Sequence, residues 1–239
     1  MRETLLWIGM ACMLGGVATF TAMRQRARRE GWPLFNITIT VSTIAALAYL
    51  AMALGGGIVQ VGGHSVYLAR YADWLCTTPL LLLNLVLLAI PEREGRAAVL
   101  PLLLGADVVM ILTGAAASLT TSGLRFAIFA IGAACYAVVL WALAGRVYRE
   151  ARRRDAQLTH IYKRTATITL VLWSAYPLVW LLGAEGTGLL GATAELALYM
   201  VLDVSAKVGY GFSLLGNRLF LAGRRQVFDD AIRQSRARA

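Results

Sequence analysis

Seven long apolar runs dominate the chain, at approximately 3–23, 33–55, 66–90, 98–117, 122–145, 161–183 and 189–215. Each is close to the roughly 20 apolar residues that a helix needs to cross a bilayer core. Within hydrocarbon every backbone amide must be satisfied internally, so a helix is the natural state for runs of this length. The connections are short and leave no room for a second domain. The expected fold is therefore all-α, a seven-transmembrane helix bundle in a multi-pass cell-membrane protein. It is expected to occupy residues 1–222, with a basic tail at 223–239. Composition points the same way: 59% of residues are hydrophobic and 15% charged, against about 45–50% and about 25% in soluble domains.

The net charge of +10 raises the question of nucleic acid, and its distribution answers it. Of 23 Lys and Arg, 19 fall at 24–29, 93–96, 146–164 and the tail from Arg218 onward. These are alternate connections and the C-terminus, whereas "GGGIVQVGGHS", "SLTTSG" and "GAEGTG" carry none. That asymmetry is the positive-inside pattern. It predicts an outer N-terminus, a cytoplasmic C-terminus and contacts to lipid head groups, with no nucleic-acid partner. The first run lacks a small-residue cleavage site and reads as a spanning helix rather than a signal peptide. Cys12, Cys76 and Cys135 lie in separate apolar runs without metal-ligand spacing and read as small buried hydrophobes.

Proline and glycine mark the organisation. Pro33 and Pro101 are expected near helix starts, and Pro91 at the end of the third helix. Pro79 and Pro177 fall inside spans, where each removes one backbone hydrogen bond. Pro79 frees the carbonyl of Leu75 as a hinge or water site. "GGGIVQVGG" suits a short hairpin over the outer face. "RVYREARRRDAQ" is expected to extend two helices into the cytosol. The tail reads either as an interfacial helix through Val227, Phe228 and Ile232 or as a solvated segment.

Few ionisable residues remain at membrane depth: Arg70, Asp73, Asp107, Glu195, Asp203 and Lys207. Such residues are functional candidates because they are costly there. Glu195, Asp203 and Lys207 recur at multiples of four and share a helix face. Arg70, Asp73 and Thr77 share a face of the third helix, with Asn84 about 21 Å further along it than Arg70. Two cations and two anions facing each other would form a neutral cluster, as a low-dielectric site requires. One reading is a purely stabilising network. The other is a lysine held in a cage because it carries something covalent.

"RYADWLCTTPLLLLN" (70–84), "LDVSAKVGYGF" (202–212), "WSAYPLVW" (173–180) and "GADVVMILTG" (105–114) resemble, in order and spacing, the signatures of the microbial rhodopsins, close to bacteriorhodopsin. The resemblance runs from about residue 35 to 216. It implies seven helices around all-trans retinal, joined to Lys207 as a protonated Schiff base and isomerised by light. It further implies that Asp73 is the primary counter-ion and proton acceptor, with Thr77 contacting it. Asp203 is then the second counter-ion, with Tyr49 beside it, and Arg70 is an arginine that moves outward once Asp73 is neutralised. Glu185 and Glu195 correspond to a proton-release pair. The pocket implied comprises Trp74, Leu81, Met110, Thr113, Gly114, Phe129, Gly132, Trp173, Tyr176, Trp180 and Ala206. Asp107 corresponds to an aspartate that stays protonated in a structural hydrogen bond.

Several positions depart from the family pattern. Asn84 stands where bacteriorhodopsin has its carboxylate donor, and an amide cannot donate a proton in the working range. Reprotonation is then expected to be slow and to draw on water. Thr38 keeps a hydroxyl within reach of Asn84. Phe129 and Gly132 replace a Trp and a Ser near the ring of the chromophore, which is expected to move absorption to the blue.

The resemblance implies a light-driven outward proton pump. The alternative is a phototaxis sensor acting through a transducer protein, which would also keep the acceptor Asp and lack the donor. Against it, Ala206 and Val201 stand where the sensors usually carry Thr and a transducer-contacting Tyr. Asp73 argues against a chloride pump and Asp203 against an inward pump. A retinal-free receptor or transporter is a further alternative. No enzyme activity is implied, and a homo-oligomer is compatible with the fold.

Overall fold

The computed structural model describes residues 1–90, 92–153 and 156–216. Seven helices long and apolar enough to cross a membrane stand among them. They are α1 (Arg2–Arg26), α2 (Trp32–Ala53), α3 (Leu68–Ala89), α4 (Arg93–Ser118), α5 (Leu124–Ala151), α6 (Ala156–Leu182) and α7 (Ala192–Leu215). Two of them contain a π turn, at Ala142–Val147 in α5 and Ser205–Gly209 in α7. The expected extension of α5 and α6 beyond the apolar runs is present, since their helical turns continue through the charged residues up to Ala151 and from Ala156.

Burial separates the helices. In α3, 61% of the apolar stretch lies inside the protein, against 22% in α4 and 28% in α1 and α5. The helix that carries Arg70, Asp73, Thr77 and Asn84 is therefore the central one, and α4 and α5 expose most of their apolar surface. Side chains such as Leu47, Leu112, Ile131, Trp141 and Val171 point out of the bundle, as suits helices whose solvent is lipid rather than water.

The predicted hairpin is a two-stranded antiparallel sheet, β1 (Ile58–Val61) paired with β2 (His64–Tyr67). Gly62 and Gly63 form its two-residue turn with φ of 55° and 86°. A hairpin turn with positive φ at both central positions strongly favours glycine. The hairpin covers one end of the bundle, and its tip reaches the α4–α5 connection: a Cβ on Gly62 would stand 3.1 Å from Thr121.

Three expectations change. Pro101 is not at a helix start: α4 begins at Arg93, because "REGRAAV" forms helical turns despite its charges, and so the proline falls inside the helix. Cys12 and Cys76 are exposed and Cys135 is partly so. These thiols face outward from the bundle rather than into its core, which an apolar environment on both sides of a helix permits. Pro33 does sit in the first turn of α2. Pro91 and the tail from 217 onward, including the expected helix through Val227, lie outside the described residues.

Candidate functional site: a buried lysine between two aspartates

The side chain of Lys207 is 2% exposed and reaches from α7 to α3. Its Nζ donates to Asp73 Oδ2 at 2.6 Å and to Asp203 Oδ1 at 3.2 Å. Asp203 lies one turn before Lys207 on α7, so the i,i+4 spacing creates the second contact. The first needs the packing of α3 against α7. Removing one partner of such a buried ionic group leaves an uncompensated charge, which typically costs about 3–5 kcal/mol.

The two carboxylates are held very differently. Asp203 accepts from Lys207 and also from Tyr49 Oη (2.8 Å), Trp74 Nε1 (2.9 Å) and Tyr176 Oη (2.9 Å). Those donors come from α2, α3 and α6, so four helices converge on one side chain. Asp73 receives only Lys207 on Oδ2, and its Oδ1 has no hydrogen-bond partner among the described residues. The Thr77 hydroxyl donates to the Asp73 main-chain carbonyl at 2.8 Å.

Arg70 departs from expectation. It is buried, yet it makes no ion pair among the described residues, so the ionic cluster holds one cation and two anions. Its guanidinium lies over aromatic faces instead, 4.2 Å from the ring centre of Tyr199 and 5.0 Å from that of Tyr67. Sequence spacing put Arg70 on the face of Asp73 correctly. It does not fix where a long side chain ends, and an aromatic face competes well with a carboxylate for a desolvated guanidinium.

On the hairpin side of Arg70 is a polar cavity of about 400 Å³, lined among others by Arg2, His64, Arg70, Glu185 and Glu195. Glu185 Oε2 accepts from Tyr71 Oη at 2.6 Å and Ser118 Oγ at 2.7 Å. Ser118 in turn accepts from Trp180 Nε1 at 2.8 Å. Glu195 Oε2 accepts from the amide of Ala184 at 3.0 Å. Room for Glu195 depends on Gly183, where a Cβ would stand 2.5 Å from the Glu195 carboxyl carbon. The two glutamates thus share a cavity but no direct hydrogen bond among the described residues.

An elongated apolar cavity runs from Lys207 between α3, α4, α5 and α6. Of the pocket residues expected from the sequence, Trp74, Leu81, Met110, Gly114, Phe129, Trp173, Tyr176, Trp180, Ala206 and Lys207 line it. Phe129 stacks on Trp180 with ring centres 4.3 Å apart and closes the far end. Three expected residues do not line it. The Tyr49 hydroxyl approaches from the other side of Asp203. Thr113 turns its hydroxyl back to the carbonyl of Val109. Gly132 faces Thr113 instead, where a Cβ would meet the Thr113 hydroxyl at 2.7 Å.

The cavity adds Tyr71, Thr78, Ile111, Tyr136, Pro177 and Tyr199, which sequence reasoning had not singled out. Tyr136 follows Phe129 by seven positions and so shares its face, a signal that was available. Its hydroxyl lies 2.9 Å from Ser174 Oγ, so a hydroxyl pair borders the cavity near the Phe129 end although position 132 is glycine. Thr78 donates to Asp107 Oδ2 at 2.8 Å. On the side away from the hairpin, Asn84 Nδ2 donates to Thr38 Oγ1 at 3.0 Å and to the Leu34 carbonyl at 3.3 Å.

A slot with apolar walls, aromatic sides and one amine at its end fits a long conjugated aldehyde condensed with Lys207. A model of bacteriorhodopsin-like proteins matches residues 1–219. The chain belongs to the bacteriorhodopsin-like family. It is 44% identical to a bacteriorhodopsin of a Haloterrigena species over 223 residues, which are 90% of this chain and 88% of that one. It is 40% identical to archaerhodopsin-1 of Halorubrum ezzemoulense, over 92% of this chain and 86% of that one. It is 37% identical to sensory rhodopsin-2 of Natronomonas pharaonis, over 89% and 87%. Among solved structures, the thermophilic rhodopsin of Rubrobacter xylanophilus superposes with a TM-score of 0.88 at 43% identity, covering 90% of this chain and 95% of that one. The light-driven proton pump rhodopsin of Coccomyxa subellipsoidea gives 0.83 at 35% identity, covering 90% and 95%. The chain is thus a multi-pass membrane protein of the rhodopsin family, and its family implies retinal on a buried lysine, as Lys207 is.

Proposed function

We propose that this protein is a light-driven outward proton pump with retinal joined to Lys207 Nζ. When bound, retinal supplies the absorption of light and a change of shape that weakens the hold of that nitrogen on its proton. The observation that carries the reading is the unequal treatment of the two aspartates. Hydrogen bonds to an ionised carboxylate stabilise the ionised form. Asp203, with three neutral donors as well as Lys207, is the carboxylate built to stay charged. Asp73, closer to Nζ at 2.6 Å and with one oxygen unpartnered, is the one built to take a proton. A proton leaving Nζ thus goes to Asp73 Oδ2, toward the hairpin side.

Neutralising Asp73 removes one anion from the neighbourhood of Arg70. The guanidinium then feels a stronger net pull from Glu185 and Glu195, with which it shares a cavity. A cation arriving there favours ionised carboxylates, so a proton is released through that cavity. Its mouth lies at the hairpin, which the distribution of basic residues assigns to the outside, with the C-terminal tail in the cytoplasm. Trp74 and Tyr176 orient Asp203, and the apolar walls of the cavity keep water from the reacting nitrogen. Residues 1–222 form the retinal-binding domain and 223–239 its tail.

Illumination of unbuffered cells making the protein is expected to acidify the medium, and a protonophore to abolish the change. Alkalinisation, or no change with the coloured protein present, overturns the reading. One feature favours a sensory role: Asn84 stands in place of a donor carboxylate, and a relative at 37% identity is a sensory rhodopsin. In that case the partner is a membrane transducer, and cells lacking one would show no light response in swimming.

A further inference from the structure

Glu195, Tyr199, Asp203 and Lys207 recur every four residues along α7, which puts them on one helix face. Three of the four are ionisable groups already assigned to proton handling. Tyr199 lies between the two carboxylates, about 6 Å along the axis from each. It is 1% exposed and touches the site on two sides. Its ring packs against Trp74 (centres 5.5 Å apart) and Tyr176 (6.1 Å), the two residues that donate to Asp203 Oδ1. Over its other surroundings lies the Arg70 guanidinium, 4.2 Å from the ring centre.

That contact needs explaining. Arg70 has Asp73 three residues along its own helix, Asp203 on α7, and Glu185 and Glu195 in the cavity that it lines. Lys207, His64 and Arg2 are the other charged or titratable groups near these carboxylates, with the hydroxyls of Tyr49 and Tyr67. A buried cation with four carboxylates in its vicinity nevertheless pairs with none of them among the described residues. The negative face of an aromatic ring is the competing partner.

We propose that Tyr199 is the positioning residue for Arg70: its ring holds the guanidinium between the inner carboxylates, Asp73 and Asp203, and the outer ones, Glu185 and Glu195. A cation seated on a neutral ring is committed to neither pair, and a small change of charge on either side moves it. Because the ring also rests on Trp74 and Tyr176, the seat of Arg70 and the donors of Asp203 are one packed unit.

The inference rests on the pump reading for its purpose, but its test is made in the dark. Asp73 takes up a proton as pH falls, and loss of that negative charge moves the visible band of the retinal-loaded protein to the red. Tyr199→Phe keeps the ring, and the midpoint of this transition is expected within about 0.3 pH unit of the parent. Tyr199→Leu removes the ring. Arg70 then settles outward against Glu185 and Glu195, Asp73 loses a neighbouring positive charge, and the midpoint is expected to rise by about one unit, a tenfold change in proton affinity. In an Arg70→Gln background Tyr199→Leu is expected to add no shift. If Tyr199→Leu fails to take up retinal, Tyr199→Met tests the same loss. An unchanged midpoint in the ringless variant, an equal shift in Tyr199→Phe, or a shift that persists without Arg70 overturns the proposal. A failed pumping assay leaves this titration unaffected, so the two readings fall separately.

Discussion

On the hairpin side of Lys207 the interior is crowded with groups that hold protons or charge: Asp73, Asp203, Arg70, Glu185, Glu195 and the hydroxyls of Tyr49, Tyr71, Tyr176 and Ser118. A cavity of about 400 Å³ leads from them toward the hairpin. On the other side the interior is mostly hydrocarbon, with Leu81, Leu82, Leu85 and Val86 buried along α3. Beyond Thr78, whose hydroxyl holds Asp107, the conspicuous polar pair there is Asn84 with Thr38, and no carboxylate is buried further along among the described residues. The same helix, α3, thus runs from a proton-rich half into a proton-poor one. The contrast teaches where time is spent: a proton leaving Lys207 meets an acceptor at hydrogen-bond distance, whereas a returning one must cross apolar packing without a resident donor.

The largest effect is expected at the boundary itself. Lys207→Ala leaves no amine in the cavity, and the protein mixed with all-trans retinal is expected to stay without a visible band. A borohydride-sensitive coloured adduct in that variant would break the comparison at its centre. Next, Asp73→Asn removes the acceptor on the rich side. It is expected to show the red-shifted band already at neutral pH and to lose outward pumping, measured as light-driven acidification. Native pumping by Asp73→Asn would show that another group takes the proton.

On the poor side the effect is on rate. After a flash, recovery of the visible band is expected to be slow in the parent and to slow further as pH rises, because the proton comes from water. Azide, a small proton carrier, should accelerate it, and Asn84→Asp should make it faster and remove the pH dependence. Fast, pH-independent recovery in the parent would mean that the half described as poor contains a donor. The smallest effect is expected from Thr38→Val, which deprives Asn84 Nδ2 of its 3.0 Å partner. Loss of one buried hydrogen bond should lower stability by about 1–3 kcal/mol, read in thermal bleaching, with little change of colour.

Much of this arrangement was legible in the sequence because membranes simplify the code. Apolar length marked the spans, and four-residue spacing placed Asp203 beside Lys207 and Asp73 on the face of Arg70. What spacing could not give was the destination of long side chains. Arg70 ends on Tyr199 rather than on a carboxylate, and Tyr71 and Ser118 hold Glu185 from helices distant in sequence. Tyrosine and serine in an apolar run carry no charge to flag them, so such partners emerge only once helices are packed. The start of α4 was missed for the converse reason, since charged helical turns beyond the hydrocarbon look like a loop.

The π turn at Ser205–Gly209 bears on how this helix can be edited. A π turn houses about one residue more than an α-helical turn would. Elsewhere in α7 a one-residue deletion would rotate everything beyond it by about 100°. It would swing Tyr210, which reaches the Leu81 carbonyl, and Ser213, which meets Thr165, away from their partners. Removal of Val208 instead regularises the turn and leaves the residues on both sides facing as before. The lysine therefore sits beside the one place in its helix where the chain can be shortened by a residue without changing register, which makes it the natural point for length variation among sequences that keep this site.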